Sequence, residues 1–136
     1  MGASGEAGYM HGDLTYQILG CAYEVHKGLG PGLLESTYRR CMAHELGLRG
    51  LPYQAETPVP IQYKGEALDN AYRADLIVDN KVIVELKAME RFMPIHHVQL
   101  LTYLRLTGLH VGLLINFNVS SLKNGIKRVV HQAPLA

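Results

Sequence analysis

The chain of 136 residues has no tryptophan, only two phenylalanines and two cysteines, and charged residues make up just 18% of it. Cys21 and Cys41 form neither a CxxC pair nor a closely spaced framework, which excludes a disulfide scaffold and indicates reduced thiols. No apolar run approaches the ~20 residues that span a bilayer, and no signal-peptide pattern opens the sequence. These absences predict a cytoplasmic protein with no membrane partner.

The net charge of +1 offers no general electrostatic field for nucleic acid, so any such contact must be local. The 48% hydrophobic fraction at this length predicts one globular domain with its own core. Residues 1–12 are rich in Gly and Ala without periodicity, so we expect a flexible N-terminus or a cloning remnant there. The domain is then expected over 13–136.

The order of predicted elements indicates the fold class. Two helices come first, over about 14–27 with Asp13 as N-cap and over about 33–48. Residues 54–63 alternate but contain two prolines, which indicates an edge strand, and a turn and a hairpin follow. A helix over about 94–107 precedes a buried strand over about 110–117, and the end of the chain fits a short helix or a strand. This order predicts an α/β sandwich with a mixed sheet.

Two carboxylates and a lysine, Asp75, Glu85 and Lys87, interrupt the apolar pattern of that hairpin. Charged groups are costly inside such an element unless they pair or bind a metal ion. Two facing carboxylates suit Mg²⁺, the Leu86 carbonyl would add a third oxygen, and Lys87 would stabilise negative charge developing at a phosphate. The alternative is a solvent-facing salt-bridge cluster in which Arg73 also takes part.

The register of the hairpin decides whether the two carboxylates can form one site. The apolar faces of its strands coincide only if Val78 pairs with Val82, which leaves 79–81 as a three-residue loop. That register places Asp75 opposite Glu85. A two-residue turn would put the two carboxylates on opposite faces of the sheet, because a slip of one residue inverts a strand.

Glu35 lies in the first turn of the second predicted helix, just after the glycine-rich break at 28–32. A carboxylate there gains ~0.3–1 kcal/mol from the helix dipole, which by itself explains an exposed Glu. As chemistry, Glu35 would be a third acidic group that reaches the metal directly or through water, with Tyr38 one turn later.

The helix after the hairpin carries a polar stripe of His96, Gln99 and Tyr103. An amide and a phenol on one stripe suit the orientation of a nucleotide or a metal-bound water, although the polar edge of an amphipathic helix gives the same pattern. The other stripe is expected to face the core: Val98, Leu101 and Leu104. His97 is adjacent to His96, so the two do not form a zinc pair.

In their order and spacing, these motifs resemble the GxxExxY family of the PD-(D/E)xK nuclease-like superfamily. The namesake motif is Gly32, Glu35 and Tyr38, and the resemblance covers nearly all of 13–130. The other matching segments lie at 24–27, 72–75, 84–87, 99–103 and 114–118.

The resemblance implies a three-layer, restriction-endonuclease-like core with a mixed central β-sheet flanked by helices. It makes Glu35 the first-helix acid, Asp75 the central metal ligand, and Glu85 with Lys87 the ExK pair. Gln99 and Tyr103 match a helix motif of RecB-like exonucleases. The chain departs from the pattern in two places: Ala74 stands where Pro is usual, and His97 where many members carry an acid.

The leading hypothesis is therefore a Mg²⁺-dependent (or Mn²⁺-dependent) nuclease acting on DNA in an exonuclease-like manner. The expected catalytic residues are Lys87, Glu35, Asp75, Glu85, Gln99 and Tyr103, and the expected metal ligands are Asp75, Glu85, the Leu86 carbonyl and Glu35. The expected substrate-binding residues are Gln99, Tyr103, Tyr38, Arg73 and His96.

The alternative is a non-catalytic nucleic-acid-binding or assembly module on the same fold. Its expected contacts are Arg39, Arg40, Lys123, Lys127 and Arg128. A third interpretation is a structural protein that forms a homo-oligomer through its apolar surface.

Overall fold

The computed structural model describes residues 10–69 and 71–132. The expectation for the N-terminal segment lies outside the described residues, except at 10–12. The helices are α1 (Gly12–Leu29), α2 (Glu35–Leu48) and α3 (Pro94–Thr107). The strands are β1 (Tyr53–Pro58), β2 (Ile61–Tyr63), β3 (Glu66–Leu68), β4 (Arg73–Val78), β5 (Val82–Lys87), β6 (Val111–Asn116) and β7 (Ile126–Val130). None of the described helices is both long and apolar enough to cross a membrane.

A five-stranded sheet in the order β1-β4-β5-β6-β7 forms the centre of the molecule. Its neighbouring strands are antiparallel except for β5 and β6, which run parallel and are connected through α3. Helices α1 and α2 pack on one face and α3 packs on the other. This arrangement confirms the predicted three-layer α/β core with a mixed sheet, and it is consistent with a restriction-endonuclease-like fold.

Each face of the sheet has its own apolar cluster. The α1/α2 side buries the even-numbered hairpin residues Leu76, Val78, Val82, Val84 and Leu86. The α3 side buries Ile77 and Ile83 together with Leu100 and Leu104 of the helix. A Cβ added at Gly112 would lie 2.9 Å from atoms of the Leu100 side chain, so the glycine allows α3 to approach β6 closely.

The edge position predicted for 54–63 is confirmed for β1, but a single strand over that range is wrong, because the chain leaves the main sheet after Pro58. Strand β1 pairs with β4, whereas β2 pairs with β3 in a separate two-stranded sheet. Pro60 falls between β1 and β2, and proline has no N–H to continue a ladder. The predicted turn is confirmed at Lys64 and Gly65, whose φ angles are 48° and 86°.

Three further boundaries differ from the prediction. Helix α1 begins at Gly12, so Asp13 lies in its first turn and His11 is the N-cap, with a φ of 57°. Helix α2 begins at Glu35. The uncertain end of the chain contains both predicted alternatives in succession, because a 3₁₀ turn over Leu122–Gly125 leads directly into β7.

The core-facing stripe of α3 is shifted from the predicted one. Val98 is 52% exposed, while Leu100, Tyr103 and Leu104 are buried. Leu101 is partly buried at the margin of the same cluster. The shift follows from Leu100, which fills the space above Gly112 and so fixes the rotation of the helix.

Candidate active site

The hairpin that carries the predicted carboxylates has the predicted register. Val78 pairs with Val82, and the pairing continues to Leu76 and Val84. Asp79 and Asn80 each have a φ of 53°, and the Lys81 N–H donates to the Val78 carbonyl at 3.0 Å. Asp and Asn adopt the left-handed region at lower cost than most residues, so Asp79 and Asn80 suit this turn.

The backbone ladder between β4 and β5 stops at Leu76 and Val84, and side-chain hydrogen bonds replace it at the carboxylates. The Asp75 N–H donates to Glu85 Oε2 at 2.7 Å, and the Leu86 N–H donates to Asp75 Oδ2 at 2.8 Å. Each carboxylate is thus fixed by the opposite strand. The strand alternation also breaks here, since Ala74 and Ile77, three residues apart, lie in the same apolar cluster.

The second oxygen of Asp75 contacts an arginine that the sequence did not place in the catalytic site. Arg39 Nη1 lies 3.3 Å from Asp75 Oδ1, and Arg39 Nη2 lies 3.7 Å from Glu56 Oε1. Arg39 lies on α2, one turn after Glu35, which is the available sequence signal. The predicted salt-bridge cluster is wrong, because neither Arg73 nor Lys87 forms an ion pair within the described residues.

Glu85 is only 5% exposed. Burial, followed by the negative charge of Asp75, raises the pKa of Glu85 from its ordinary 4.5 to about 8. The hydrogen bond from Asp75 N–H and the charge of Lys87 act in the opposite direction, while Glu35 adds to the rise. The site therefore disfavours two negative carboxylates unless a cation is added.

The donor set fits a hard divalent cation. Within the described residues, no hydrogen bond reaches Glu85 Oε1, and a carboxylate oxygen that already accepts one bond still has lone pairs available. Mg²⁺ is commonly held by one or two carboxylates with several waters, so Asp75 and Glu85 satisfy its protein share.

The structure does not extend this pair into a three-acid site. Across 10–69 and 71–132, no three His, Cys, Asp or Glu side chains are grouped closely enough to hold a metal ion. Glu35 is exposed at the start of α2, and its effect on Glu85 is electrostatic: its negative charge contributes to the raised pKa of Glu85. At Leu86, the N–H is the group that contacts a carboxylate.

The polar stripe of α3 approaches the carboxylates through Tyr103. Its ring is 5% exposed and lies 6.5 Å from the Tyr72 ring in an edge-on arrangement. Burial, followed by the charge of Glu85, Tyr72 and then Asp75, raises the pKa of Tyr103 to about 12, so its hydroxyl keeps its proton at neutral pH.

Three other predicted substrate residues have different surroundings. Gln99 is half-buried one turn before Tyr103, and Arg73 is exposed at the start of β4. The His96 ring accepts a hydrogen bond from the Met93 N–H at 2.9 Å, so Nδ1 is used to cap α3. His96 therefore has only Nε2 to offer a ligand.

Tyr38 does not face the site. It is fully buried, and its ring stacks on Phe117 with centroids 4.5 Å apart. Its hydroxyl donates to the Gly30 carbonyl at 2.6 Å and accepts from the Leu33 N–H at 3.2 Å. The expected substrate contact is corrected to a structural role, because both the ring and the hydroxyl are already engaged in holding the loop between α1 and α2.

Asn116 lies in one of the segments that resemble the family, but the sequence pattern assigned it no role. It is 2% exposed and pairs with Lys87 across the parallel strands. Its side chain accepts from the Met89 N–H at 3.0 Å and donates to the Met89 carbonyl at 2.8 Å. This double contact fixes the chain as it leaves β5, directly after Lys87.

A groove of ≈ 650 Å³ lies between α1 and α2, away from the carboxylates. Its lining residues include Glu24, Arg40, Cys41 and His44, and none of the residues expected to be catalytic, to bind the metal ion or to bind substrate in the nuclease hypothesis. Asp75 and Glu85 line neither this groove nor a smaller one beside the hairpin turn, which is lined by Tyr53, Asp79 and Asn80 among others.

A family model described as the PD-(D/E)XK nuclease superfamily matches residues 12–129. The matched segment contains α1 through most of β7, including the whole hairpin that carries Asp75, Glu85 and Lys87. No curated protein and no solved structure matches the chain.

Proposed function

The chain belongs to the PD-(D/E)XK nuclease superfamily, and from this premise we propose that it is a divalent-metal-dependent nuclease that hydrolyses phosphodiester bonds. The observation that carries the proposal is the reciprocal clamp at 2.7 and 2.8 Å, which fixes Asp75 and the buried Glu85 side by side. Such a pair is stable as two anions only when a cation compensates it. We place the chain in the GxxExxY group and its activity in the cytoplasm.

In this proposal Asp75 and Glu85 hold Mg²⁺ or Mn²⁺, with Glu35 acting through water. When bound, the cation supplies charge neutralisation at the phosphate and lowers the pKa of a coordinated water. Lys87, whose charge already acts on Glu85, stabilises negative charge at the scissile phosphate. Asn116 keeps Lys87 in place through the chain that follows it.

The substrate we propose is DNA, handled from an end or as a single strand. Tyr103 supplies a protonated hydroxyl beside the carboxylates, and Gln99 an amide one turn earlier. Arg73 offers a cation at the exposed start of β4, and His96 offers Nε2. These contacts are few and local, as the net charge of +1 requires.

Replacement of the three central residues tests the proposal. We expect Asp75→Asn, Glu85→Gln and Lys87→Met each to lower DNA degradation by ~10²-fold or more, since the first two each remove a negative ligand of the cation and the third removes the positive charge that stabilises the phosphate. Degradation of labelled single-stranded and duplex DNA in Mg²⁺ and Mn²⁺ is the measurement, and circular dichroism verifies folding. Calorimetric titration of Mg²⁺ should lose its signal in the Asp75 and Glu85 variants and keep it in Lys87→Met.

Lys81→Gln is the matched control, because Lys81 pairs with Asp79 at 3.3 Å at the other end of the same hairpin. This variant should degrade DNA at the rate of the wild type. Full activity in Lys87→Met would contradict the role of that lysine, and the absence of Mg²⁺ and Mn²⁺ binding by the wild type would contradict the nuclease itself.

The alternative of a non-catalytic binding module has weaker support. Of its expected contacts, Arg39 is engaged with Asp75, and Arg128 donates to the Met10 carbonyl at 2.6 Å. Such a module would bind DNA equally well after Asp75→Asn and would lose affinity steeply with salt. DNA binding that is unaffected by Asp75→Asn and independent of metal would therefore favour it.

A further inference from the structure

Arg39 contacts the same carboxylate that the proposed function assigns to the metal. Its guanidinium lies 3.3 Å from Asp75 Oδ1, and only 23% of the Arg39 side chain and 18% of the Asp75 side chain are exposed. Asp75 Oδ2 is already bonded to the Leu86 N–H. The oxygen nearest to Arg39 is thus the less constrained oxygen of Asp75.

Two cations on one carboxylate oxygen repel each other, and the repulsion is stronger where water is partly excluded. A divalent cation that binds Asp75 and Glu85 therefore competes with the guanidinium for Oδ1. Because Mg²⁺ carries two charges and binds oxygen at 2.0–2.1 Å, we expect the guanidinium to be the group that moves.

Glu56 contacts the same arginine and would keep it close to the site if it left Asp75. Its Oε1 lies 3.7 Å from Arg39 Nη2, and its side chain is 55% exposed. Glu56 also has a φ of 50° within strand β1, a conformation that is strained for a residue other than glycine. Strain of this kind persists where the surroundings hold it, and here it accompanies a carboxylate that contacts Arg39.

From this geometry we infer that Arg39 is an exchangeable counter-ion: it leaves Asp75 when a divalent cation binds and then contacts a phosphate of the nucleic-acid strand. This inference rests on the proposed nuclease function. The planar guanidinium with its several donors suits a phosphate oxygen pair, and release from Asp75 makes those donors available.

The first test is the metal affinity of Arg39→Gln. Loss of the competing guanidinium should tighten Mg²⁺ binding in calorimetric titration roughly fivefold. This factor corresponds to the upper end of the free energies measured for exposed ion pairs. If Arg39 only held Asp75 in position, the same variant would bind Mg²⁺ more weakly. Arg39→Lys retains a positive charge, so its Mg²⁺ affinity should stay within about twofold of the wild type.

The second test is DNA binding, measured by fluorescence anisotropy with a single-stranded oligonucleotide in Ca²⁺. We expect Arg39→Gln to bind roughly tenfold more weakly, the loss of one charge-assisted hydrogen bond. The slope of log affinity against log salt concentration should become shallower by about 0.7, because one phosphate contact with a single strand is lost. Lys81→Gln serves as the control and should match the wild type in both tests.

The outcomes separate the inference from the proposed function. No Mg²⁺ binding by the wild type overturns both. Mg²⁺ binding by the wild type that weakens or stays unchanged in Arg39→Gln overturns the inference alone, and so does an unchanged salt dependence of DNA binding. If Arg39→Gln fails to fold, Arg39→Lys carries the test: weaker DNA binding with a Mg²⁺ affinity within about twofold of the wild type supports the exchange, and unchanged DNA affinity or a larger change in Mg²⁺ affinity overturns it.

Discussion

Glu85 is an acid in a position that favours its protonated form. Burial and the adjacent charge of Asp75 raise the pKa of Glu85 from 4.5 to about 8, so between these pH values the folded chain keeps a proton that the unfolded chain has lost. The folded state then binds more protons than the unfolded state, and the free energy of unfolding falls as pH rises. The full stability is present below about pH 4.5 and is lost as pH rises through about 8.

We therefore predict that metal-free protein becomes less stable from pH 5 to pH 9, by an amount on the order of a few kcal/mol that Glu85 contributes. Urea unfolding in buffers containing a chelator measures this change. Glu85→Gln carries no titrating group at this position. The difference in free energy of unfolding between this variant and the wild type should therefore be small near pH 5 and should grow in favour of the variant as pH rises. If the free energy of unfolding changed with pH equally in the two proteins, the pH dependence would not come from Glu85.

Sequence and structure agree on this residue only in part. The match of the apolar faces of the two strands was sufficient to predict that Val78 pairs with Val82, which brings Asp75 and Glu85 to the same end of the hairpin. The hydrogen bonds from each carboxylate to the opposite strand were not predictable. The pattern of side chains does not indicate where the backbone hydrogen bonds between two strands end. The contact between Arg39 and Asp75 was not predicted, because the two residues lie 36 positions apart and on different elements.

At the scale of elements, the loop between α1 and α2 depends on Tyr38. We predict that Tyr38→Phe lowers the free energy of unfolding by ~1–2 kcal/mol, because the Gly30 carbonyl and the Leu33 N–H lose their partner while the stacking on Phe117 remains. Urea unfolding is the measurement. Tyr16→Phe is the control, since the Tyr16 side chain is 79% exposed and should tolerate the change. An equal effect in both variants would contradict the role given to the Tyr38 hydroxyl.

The ends of some elements could be predicted from the sequence, whereas their rotation and pairing could not. Helix α3 was predictable at both ends, because Pro94 opens it and Gly108, with a φ of 77°, closes it. The rotation of α3 was not, since it depends on the fit of Leu100 against Gly112 on a distant strand. The division of β1 from β2 was also missed, because prolines mark a weak strand without indicating which sheet it joins.

At the scale of the molecule, the sheet brings together residues from three parts of the chain. The hairpin supplies both carboxylates, α2 supplies Arg39 from the first half, and α3 supplies Tyr103 from the second. The family match spans all of these segments. A cation bound at the hairpin should therefore stabilise the whole domain, since its ligands are held together only in the folded state.

We predict that Mg²⁺ at ten times its dissociation constant stabilises the wild type by about 1.4 kcal/mol, and that a chelator reverses the effect. Thermal unfolding at pH 9, where Glu85 is deprotonated, measures the shift in Tm. Asp75→Asn should show almost no shift. A shift of the same size in Asp75→Asn would place the bound cation elsewhere in the molecule.

Glu56 and Pro58 have a consequence for the chain beyond the site. Strand β1 lies at one edge of the five-stranded sheet, and its outer side has no strand partner among residues 10–69 and 71–132. An exposed edge of this kind invites a second chain to add a strand. The left-handed backbone of Glu56 and the missing N–H of Pro58 interrupt the row of donors and acceptors that an added strand would need. The residue that contacts Arg39 is therefore also expected to disfavour edge-to-edge aggregation.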